Sequence, residues 1–481
     1  MIHTPQKKDR VLVEQVMQSG QGHVFQWWDD LSDASKQRLL DQIRSIDFEQ
    51  VEYFQALLEH RADKKTPVHM EPAETIPLPY DETSRLARRE AGEAGDQAIR
   101  DGRIGVFTVA GGQGTRLGYD GPKGTFPCSP VTRKSLFELQ AERILAARKA
   151  HDAAIPWAIM TSPVNDAETR SFFREHGFFG LDADSVHFAC QAMLPALDEN
   201  GKLILDAKDH IAMSPNGHGG TFQAMRDSGV LEDAERMGVD IFSYYQVDNI
   251  LIRVVDPVFI GYHLNAGADM SSKMLRKTDP EEKVGHFGMI GGRLHVVEYS
   301  DMTEADMHAR NPDGGLKYSA GSIGIHLIQT EFARRLFRNA RSLPFHVAHK
   351  KIPMLQEDGT VRDPEEPNAY KFEMFVFDAL PKTDASVILE VRREEEFSPI
   401  KNREGVDSPQ TAKQDLNNLF GRWLEAAGYS VPRDSQGNVQ CDIEIHPLYA
   451  RTLEEFVRKA PDHIEIKDRM VFNPESGAAG V

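Results

Sequence analysis

A short apolar run that ends in a cluster of glycines constrains the fold of this chain more than any other feature. The run from Val106 to Ala110 has the pattern of a buried strand, and Gly111, Gly112, Gly114 and Gly118 follow it directly. Glycine permits a positive φ and lets the backbone approach a ligand without a Cβ in the way. Successive backbone N–H groups in such a turn can bind an anion. The run therefore predicts a strand that leads into an anion-binding turn.

The spacing of these glycines fits neither of two standard phosphate-binding motifs. Positions 112, 114 and 118 give GxGxxxG rather than the GxGxxG of dinucleotide-binding folds, and Lys123 precedes its glycine, whereas the P-loop lysine follows one. Arg116 and Lys123 would nevertheless supply cations for phosphate groups. A tight connection without a ligand is the alternative interpretation. Four glycines with an arginine and a Pro-Lys-Gly triplet favour the phosphate-binding one.

Strands and helices alternate beyond residue 100. The predicted strands are 106–110, 155–161, 241–247, 295–299 and 322–328, and the predicted helices are 135–151, 166–176, 221–237 and 411–427. Strands that alternate with helices of this length indicate a parallel sheet with crossover helices. The sequence therefore predicts an α/β core.

The first hundred residues have a different texture. Apolar residues between about 10 and 62 recur at helical spacings, four prolines predict a linker over 64–80, and a charged helix is predicted over 81–100. At roughly 150 residues per domain, 481 residues correspond to about three domains. We predict a helical N-terminal region over 1–100, the α/β core over 101–385 and a C-terminal domain over 386–481.

The net charge and the cysteines indicate which partners and which cellular compartment to expect. With 56 Lys and Arg against 74 Asp and Glu, the net charge is −18, which argues against partners such as nucleic acid or an anionic membrane. No run approaches the ~20 apolar residues of a membrane-spanning helix, and the first residues lack the apolar core of a secretory signal. Three widely separated cysteines form no disulfide or zinc pattern. We therefore expect a cytoplasmic protein.

The glycine turn, together with segments further along the chain, resembles the UTP-dependent sugar-1-phosphate uridylyltransferases. The matching segments are AGGQGTRLG…PKG at 110–124, KSLFELQAERI at 134–144, MLPA at 193–196, the stretch 213–220, VDNIL at 247–251, VVEYS at 296–300, KFEMFVFD at 371–378 and EFSPIKN at 396–402. Within the family, the chain is most similar to the eukaryotic-type UDP-N-acetylglucosamine pyrophosphorylases. The resemblance covers roughly residues 100–410. It implies a Rossmann-like, GT-A-like nucleotidyltransferase core with a mixed, mainly parallel sheet.

The resemblance also implies a UTP site. Its members would be Val109, Ala110, Gly111, Gly112, Lys123, Gln191, Gly217, Asp248 and Lys371. Arg116, Lys123 and Lys401 would be the catalytic cations. Asp248 follows a predicted strand, and ligands in open α/β sheets bind beyond the carboxyl ends of strands. A carboxylate at that place can hold Mg²⁺, which is the expected cofactor.

The sugar site is implied in the same way by His218, Gly285, Glu298, Tyr299 and Ser322. Two of these depart from the pattern. The N-acetylglucosamine enzymes usually carry Asn where His218 stands, whereas UDP-glucose pyrophosphorylases carry His, and Ser322 also replaces an Asn. The identity of the sugar therefore stays open at this point.

The expected reaction joins UTP and a hexose 1-phosphate, with N-acetylglucosamine 1-phosphate as first choice, to give a UDP-sugar and pyrophosphate. The alternative within the class is a UDP-glucose pyrophosphorylase. A non-catalytic nucleotide-sugar sensor is the alternative from another class. Because a sensor need not keep Arg116, Lys123, Asp248 and Lys401 together, these residues favour the enzyme. The sequence predicts no oligomeric state.

Overall fold

The computed structural model describes residues 7–60, 69–336, 343–475 and 477–480. The predicted linker therefore lies partly outside the described residues, at 64–68. The described helices are α1 (Lys7–Gln18), α2 (Asp33–Arg44), α3 (Phe48–Glu59), α4 (Glu82–Arg100), α5 (Leu136–His151), α6 (Asp166–Glu175), α7 (Thr221–Asp227), α8 (Val230–Met237), α9 (Pro257–Asn265), α10 (Glu304–Met307), α11 (Thr330–Leu336), α12 (Arg393–Glu396), α13 (Pro409–Ala426) and α14 (Leu453–Lys459).

The described strands are β1 (Glu71–Pro72), β2 (Ile104–Val109), β3 (Trp157–Thr161), β4 (Val186–Cys190), β5 (Met193–Pro195), β6 (Leu205–Ala207), β7 (His210–Ile211), β8 (Met213–Pro215), β9 (Ile241–Gln246), β10 (Met270–Arg276), β11 (His286–Ile290), β12 (Arg293–Val297), β13 (Ala320–Gln329), β14 (His346–Lys350), β15 (Met354–Leu355), β16 (Val361–Arg362), β17 (Ala369–Glu373), β18 (Ile388–Glu390), β19 (Asp442–Ile445), β20 (Arg469–Asn473) and β21 (Gly477–Gly480).

The chain divides into two compact units. The smaller unit comprises residues 1–68, 191–220 and 343–376, and the larger unit comprises residues 69–190, 221–342 and 377–481. Each unit thus combines segments that are distant in the sequence. The three-part division predicted above follows the order of the chain, and its boundaries stay predictions.

A mixed ten-stranded sheet forms the centre of the larger unit, with the order β1-β11-β13-β9-β2-β3-β4 along its main path. β9, β2, β3 and β4 are parallel to one another, whereas β13 is antiparallel to β9, β10 and β11. β2 is buried on both faces, as expected for a strand whose two sides are both covered. The predicted mixed α/β sheet with a parallel centre is confirmed.

One predicted helix is in fact two. The segment 221–237 forms α7 and α8, which are separated by Ser228 and Gly229. Gly229 has a φ of +79°, a left-handed conformation that interrupts a right-handed helix. The apolar residues keep a helical spacing on both sides of Gly229, so the sequence pattern does not indicate the break.

The smaller unit has a core of its own. Apolar side chains of α2 and α3, including Leu39, Ile43 and Phe54, pack with Leu203 and Phe372. The rings of Phe54 and Phe372 stack with their centroids 3.9 Å apart. The predicted N-terminal helices are thus confirmed as elements, and they pack onto short hairpins from two later segments of the chain.

Candidate active site

The glycine turn lies at the carboxyl end of β2, where β9 and β3 flank it. It folds back on itself, because Gly114 N donates to Gly121 O at 2.9 Å and Lys123 N donates to Gly112 O at 3.0 Å. Gly118 has a φ of +67°, which favours glycine at this bend. The folded turn brings the lysine of the Pro-Lys-Gly triplet back to the end of the strand.

Two buried polar residues after β3 hold this turn. Asn165 Nδ2 donates to Ala110 O at 2.9 Å and to Gly112 O at 3.2 Å. Ser162 Oγ donates to Gly111 O at 2.8 Å. Because these bonds occupy the carbonyls of the turn, they help to fix the orientation of its peptide planes.

Lys123 forms an ion pair with Asp248, which follows β9. The distance from Lys123 Nζ to Asp248 Oδ2 is 2.8 Å, and the side chains are 17% and 11% exposed. The lysine predicted for the triphosphate and the aspartate predicted for a metal are therefore in contact. The strand ends that carry them are joined by the bond from Val247 N to Val109 O, at 3.0 Å.

The segment that carries Lys401 is bonded to the same place. Ile400 N donates to Asp248 O at 2.9 Å. The side-chain amide of Asn249 binds the backbone of the same segment, because its Nδ2 donates to Glu396 O at 2.7 Å and its Oδ1 accepts from Ser398 N at 3.0 Å. Although Lys401 and Asp248 are far apart in the sequence, the structure brings their backbones together.

Three residues predicted for the sugar form a second cluster in the larger unit. Ser322 N donates to Gly285 O at 2.8 Å. A Cβ at Gly285 would lie 2.6 Å from Val296 Cγ1 and 3.3 Å from Glu298 Oε1, so a side chain has no room there. Tyr299 is adjacent to Glu298 and is partly exposed. Gly285, Glu298 and Ser322 thus lie side by side, and their role at a sugar stays a prediction.

The remaining predicted residues, Gln191, Gly217, His218 and Lys371, belong to the smaller unit. Gly217 has a φ of +80°, and a Cβ there would lie 2.5 Å from Met374 O. Lys371 pairs with Ala348 across β17 and β14. The turn that contains Gly217 and His218 is therefore packed directly against the end of β17.

The ring of His218 is fixed by two contacts within the smaller unit. Its Nδ1 accepts from Val376 N at 3.2 Å, and its plane stacks on Phe375 at a centroid distance of 5.2 Å. A neutral ring that accepts at Nδ1 carries its proton on Nε2. His218 thus has a defined orientation, with Nε2–H as a donor.

Sequence reasoning missed the residues that position the site. Ser162 and Asn165 support the glycine turn, and Asn249, although part of a matching segment, had no assigned role. The C-terminal part had no assignment either, yet Glu444 Oε2 accepts from Thr132 N at 3.0 Å, in the loop that follows the glycine turn. Polar residues directly after the strand at 155–161 were a usable signal for the first two. The long-range partners carried no local signal.

The carboxylate of Asp248 suits Mg²⁺ only if a substrate supplies further ligands to the metal. Among the described residues, no group of three or more His, Cys, Asp and Glu side chains is arranged to hold a metal ion. Asp248 is a single, slightly exposed carboxylate in contact with a lysine. Mg²⁺ is commonly held by one or two carboxylates plus substrate phosphates rather than by an all-protein cage. The site therefore fits a metal that arrives with a nucleotide.

Comparison with known proteins shows the family of this chain. Residues 51–408 match the family model described as UTP–glucose-1-phosphate uridylyltransferase. The chain belongs to this family. The resemblance inferred from the motifs is thereby confirmed, and so is the class of enzyme, a UTP:sugar-1-phosphate uridylyltransferase.

Individual relatives cover nearly the whole chain. A human protein named UDP-N-acetylhexosamine pyrophosphorylase-like protein 1 is 39% identical over 86% of this chain and 85% of its own length. The UDP-N-acetylglucosamine pyrophosphorylase of Saccharomyces cerevisiae is 35% identical over 86% of this chain and 91% of its own. The crystal structure of the Trypanosoma brucei uridine diphosphate N-acetylglucosamine pyrophosphorylase has a TM-score of 0.80 at 27% identity, covering 98% of this chain and 99% of that one. The predicted nucleotidyltransferase fold is confirmed.

None of the helices in the described part of the chain combines the length and the apolar character needed to cross a membrane.

Proposed function

We propose that this uridylyltransferase joins UTP and N-acetylglucosamine 1-phosphate to give UDP-N-acetylglucosamine and pyrophosphate. The observation that carries the proposal is the contact of Lys123 with Asp248. The segment that contains Lys401 is bonded to the backbone of the same aspartate. The chain is also similar along most of its length to UDP-N-acetylglucosamine pyrophosphorylases. A cation for the nucleotide, a carboxylate for a metal and a cation for the second substrate are the minimum that such a transfer needs.

The reaction is an in-line displacement at phosphorus. A phosphate oxygen of the sugar phosphate attacks the α-phosphorus of UTP, the new P–O bond forms, and the bond to the pyrophosphate oxygen breaks. The attacking oxygen is already anionic at neutral pH, so no general base is required. Catalysis then consists of positioning the reactants and neutralising charge.

Arg116, Lys123 and Lys401 would neutralise most of the charge on the substrates. Lys123 and Arg116 would contact the triphosphate, because both lie in or directly after the glycine turn. Lys401 would contact the sugar phosphate; its Nζ is 3.8 Å from Asp407 Oδ2 and the side chain is partly exposed, so it can turn to a ligand. The backbone of Val109, Ala110, Gly111 and Gly112 would cradle the nucleotide.

By the family resemblance, Gln191 and Gly217 would contact the nucleotide and Lys371 its phosphates. Gln191 is almost fully buried, which suits a side chain that recognises a base by hydrogen bonds. Glu298, Tyr299, Gly285 and Ser322 of the larger unit would contact the sugar. Carboxylate and hydroxyl groups are suitable partners for sugar hydroxyls.

Asp248 would hold Mg²⁺ together with the phosphates of UTP. When bound, the metal supplies positive charge that stabilises the charge developing on the phosphate oxygens. Residues of this chain position the carboxylate. Lys123, at 2.8 Å from Asp248, orients the carboxylate, and the Ile400 N–H fixes the backbone behind it.

Glucose 1-phosphate is a second candidate substrate, and one observation favours it. His218 stands where UDP-glucose pyrophosphorylases carry His and the N-acetylglucosamine enzymes usually carry Asn.

The setting we propose is a reducing cytoplasm. The cysteines Cys128, Cys190 and Cys441 are all free thiols. The net charge of −18 argues against a nucleic-acid partner, and a phosphate-binding site would be a local exception to it.

A substrate panel tests the proposal. The full chain is assayed for pyrophosphate release with UTP, Mg²⁺ and either N-acetylglucosamine 1-phosphate, N-acetylgalactosamine 1-phosphate or glucose 1-phosphate, and Asp248→Asn serves as the inactive control. We expect the highest kcat/KM with N-acetylglucosamine 1-phosphate. A preference for glucose 1-phosphate would replace the substrate and keep the reaction. Absence of pyrophosphate with every sugar would leave the nucleotide-sugar sensor as the interpretation.

A further inference from the structure

A buried lysine that no part of the reaction uses lies behind the sugar cluster. Lys277 directly follows β10, and its residue surface is only 2% exposed. Its backbone N–H donates to Ser319 O at 2.8 Å, which joins it to the start of β13. Burying an ammonium group is costly unless its donors are satisfied, so the contacts of this group define its role.

The three N–H donors of Lys277 all have acceptors, and none of these is a carboxylate. Nζ is 3.3 Å from Pro280 O, 3.0 Å from Glu282 O and 2.7 Å from His286 Nε2. Two acceptors are backbone carbonyls of the segment 278–285, and the third is the side chain of the first residue of β11. The lysine thus binds the middle of this segment and the residue that directly follows it.

The protonation states agree with this arrangement. Burial and the neighbouring Lys277 ammonium together lower the pKa of His286 to about 4, although a backbone hydrogen bond with Val297 opposes them. The ring is therefore neutral near pH 7, so its Nε2 can accept from the ammonium. Burial also lowers the pKa of Lys277, although the carboxylates of Asp279 and Glu281 oppose that effect.

The segment held by Lys277 leads directly into the sugar cluster. It ends at Gly285, whose carbonyl accepts from Ser322 N and whose Cα faces Glu298. The stem of the lysine also packs beside Ser322, because a Cβ on the preceding residue, Gly321, would lie 3.2 Å from Lys277 Cγ. One side chain therefore supports both backbones that carry Gly285 and Ser322.

We propose that Lys277 is a positioning residue of the sugar subsite, which fixes the segment 278–285 and through it the placement of Gly285 and Glu298. The partners described above belong neither to the glycine turn nor to the Lys123–Asp248 pair. Loss of the lysine is therefore expected to weaken the sugar phosphate and to leave the nucleotide unaffected. This inference rests on the proposed function for its choice of sugar.

The test separates the two substrates. In the full chain, Lys277→Met removes the three donors and keeps an apolar stem, and the exposed Lys283 of the same segment provides the matched control, Lys283→Met. We expect Lys277→Met to raise the KM for N-acetylglucosamine 1-phosphate by about 10- to 100-fold, since a misplacement of about 1 Å can cost that much. The KM for UTP should stay within about twofold in both variants, and Lys277→Gln, which retains two amide donors, should restore part of the loss.

Two results would overturn the inference. One is an unchanged KM for the sugar phosphate in a folded Lys277→Met variant, with folding checked by thermal unfolding. The other is an equal rise in the KM of both substrates, which would show a general structural effect. If Lys277→Met does not fold, His286→Leu, which removes one of the three acceptors, is expected to raise the sugar KM alone by a smaller factor, and no change there would also refute the role.

Failure of the proposed reaction is a distinct outcome. If the unmodified chain releases no pyrophosphate with any sugar, the same variants are compared by calorimetric binding of UDP-N-acetylglucosamine and of UTP. Weaker binding of the nucleotide sugar alone supports the role of Lys277 without turnover. Equal losses for both ligands, or none, contradict it.

Discussion

Replacing Lys123 by Met tests the ion pair at the centre of the site. The ammonium is 2.8 Å from Asp248 Oδ2, and both side chains are more than four-fifths shielded from water. An exposed surface ion pair is worth about 0–1 kcal/mol, but a shielded donor aimed at developing charge is worth about 2.7–4 kcal/mol in the transition state. Because about 1.36 kcal/mol corresponds to a factor of ten, we expect kcat to fall by about 100- to 1,000-fold.

The assay is initial-rate pyrophosphate release at saturating UTP, Mg²⁺ and sugar phosphate. Lys149→Met is the matched control, because Lys149 is an exposed lysine on α5. Thermal unfolding shows whether each variant is folded. A folded Lys123→Met enzyme whose kcat is within about threefold of the control would refute the assignment of this cation to the reaction.

Three further predictions follow from the geometry of the larger unit. Asn165→Ala removes the bonds to Ala110 O and Gly112 O and the acceptor for Ser162 N. At about 1 kcal/mol per bond, the free energy of unfolding in urea should fall by about 3 kcal/mol, and the KM for UTP should rise. An unchanged free energy of unfolding would mean that the glycine turn does not need these bonds. Burial lowers the pKa of His263 to about 4, below its value of 6.5 in the unfolded chain. The contribution of this neutral ring to the free energy of unfolding is therefore complete above about pH 6.5 and is lost as the pH falls towards 4. It amounts to about 2 kcal/mol between pH 7 and pH 5, and urea unfolding of His263→Gln should show a pH dependence smaller by that amount. Chelation of divalent cations should abolish turnover and leave the melting temperature unchanged, because Asp248 is the only carboxylate we assign to the metal; a large drop in melting temperature would indicate a structural metal instead.

Local patterns were enough for the elements and the class of chemistry. The buried strand Ile104–Val109, the glycines after it and the helix Leu136–His151 each follow from residue types within a few positions. The same is true of the Asp that follows the strand ending at Gln246. Backbone preferences and burial act over short stretches of chain, so the sequence alone could show where strands end and where charged groups stand.

Partners across the chain could not be predicted in this way. Nothing near Asn249 indicates that its amide spans Glu396 and Ser398, and nothing near Lys277 shows that its ammonium holds a segment that ends at Gly285. Such contacts depend on strand order, which places β13 antiparallel beside the parallel strand β9. The break between α7 and α8 is a smaller instance, because the left-handed φ of Gly229 leaves the apolar periodicity intact.

The sequence by itself determined an α/β chain with a phosphate-binding turn, a set of cations and the family to which they belong. The tertiary structure alone decided that Lys123 meets Asp248, that the Lys401 segment is bonded to the same backbone, and that Gly285, Glu298 and Ser322 are neighbours. The physical reason is the range of the interactions. Helix and strand preferences are set by adjacent residues, whereas an active site of this kind is assembled by hydrogen bonds and ion pairs between segments that only the sheet brings together.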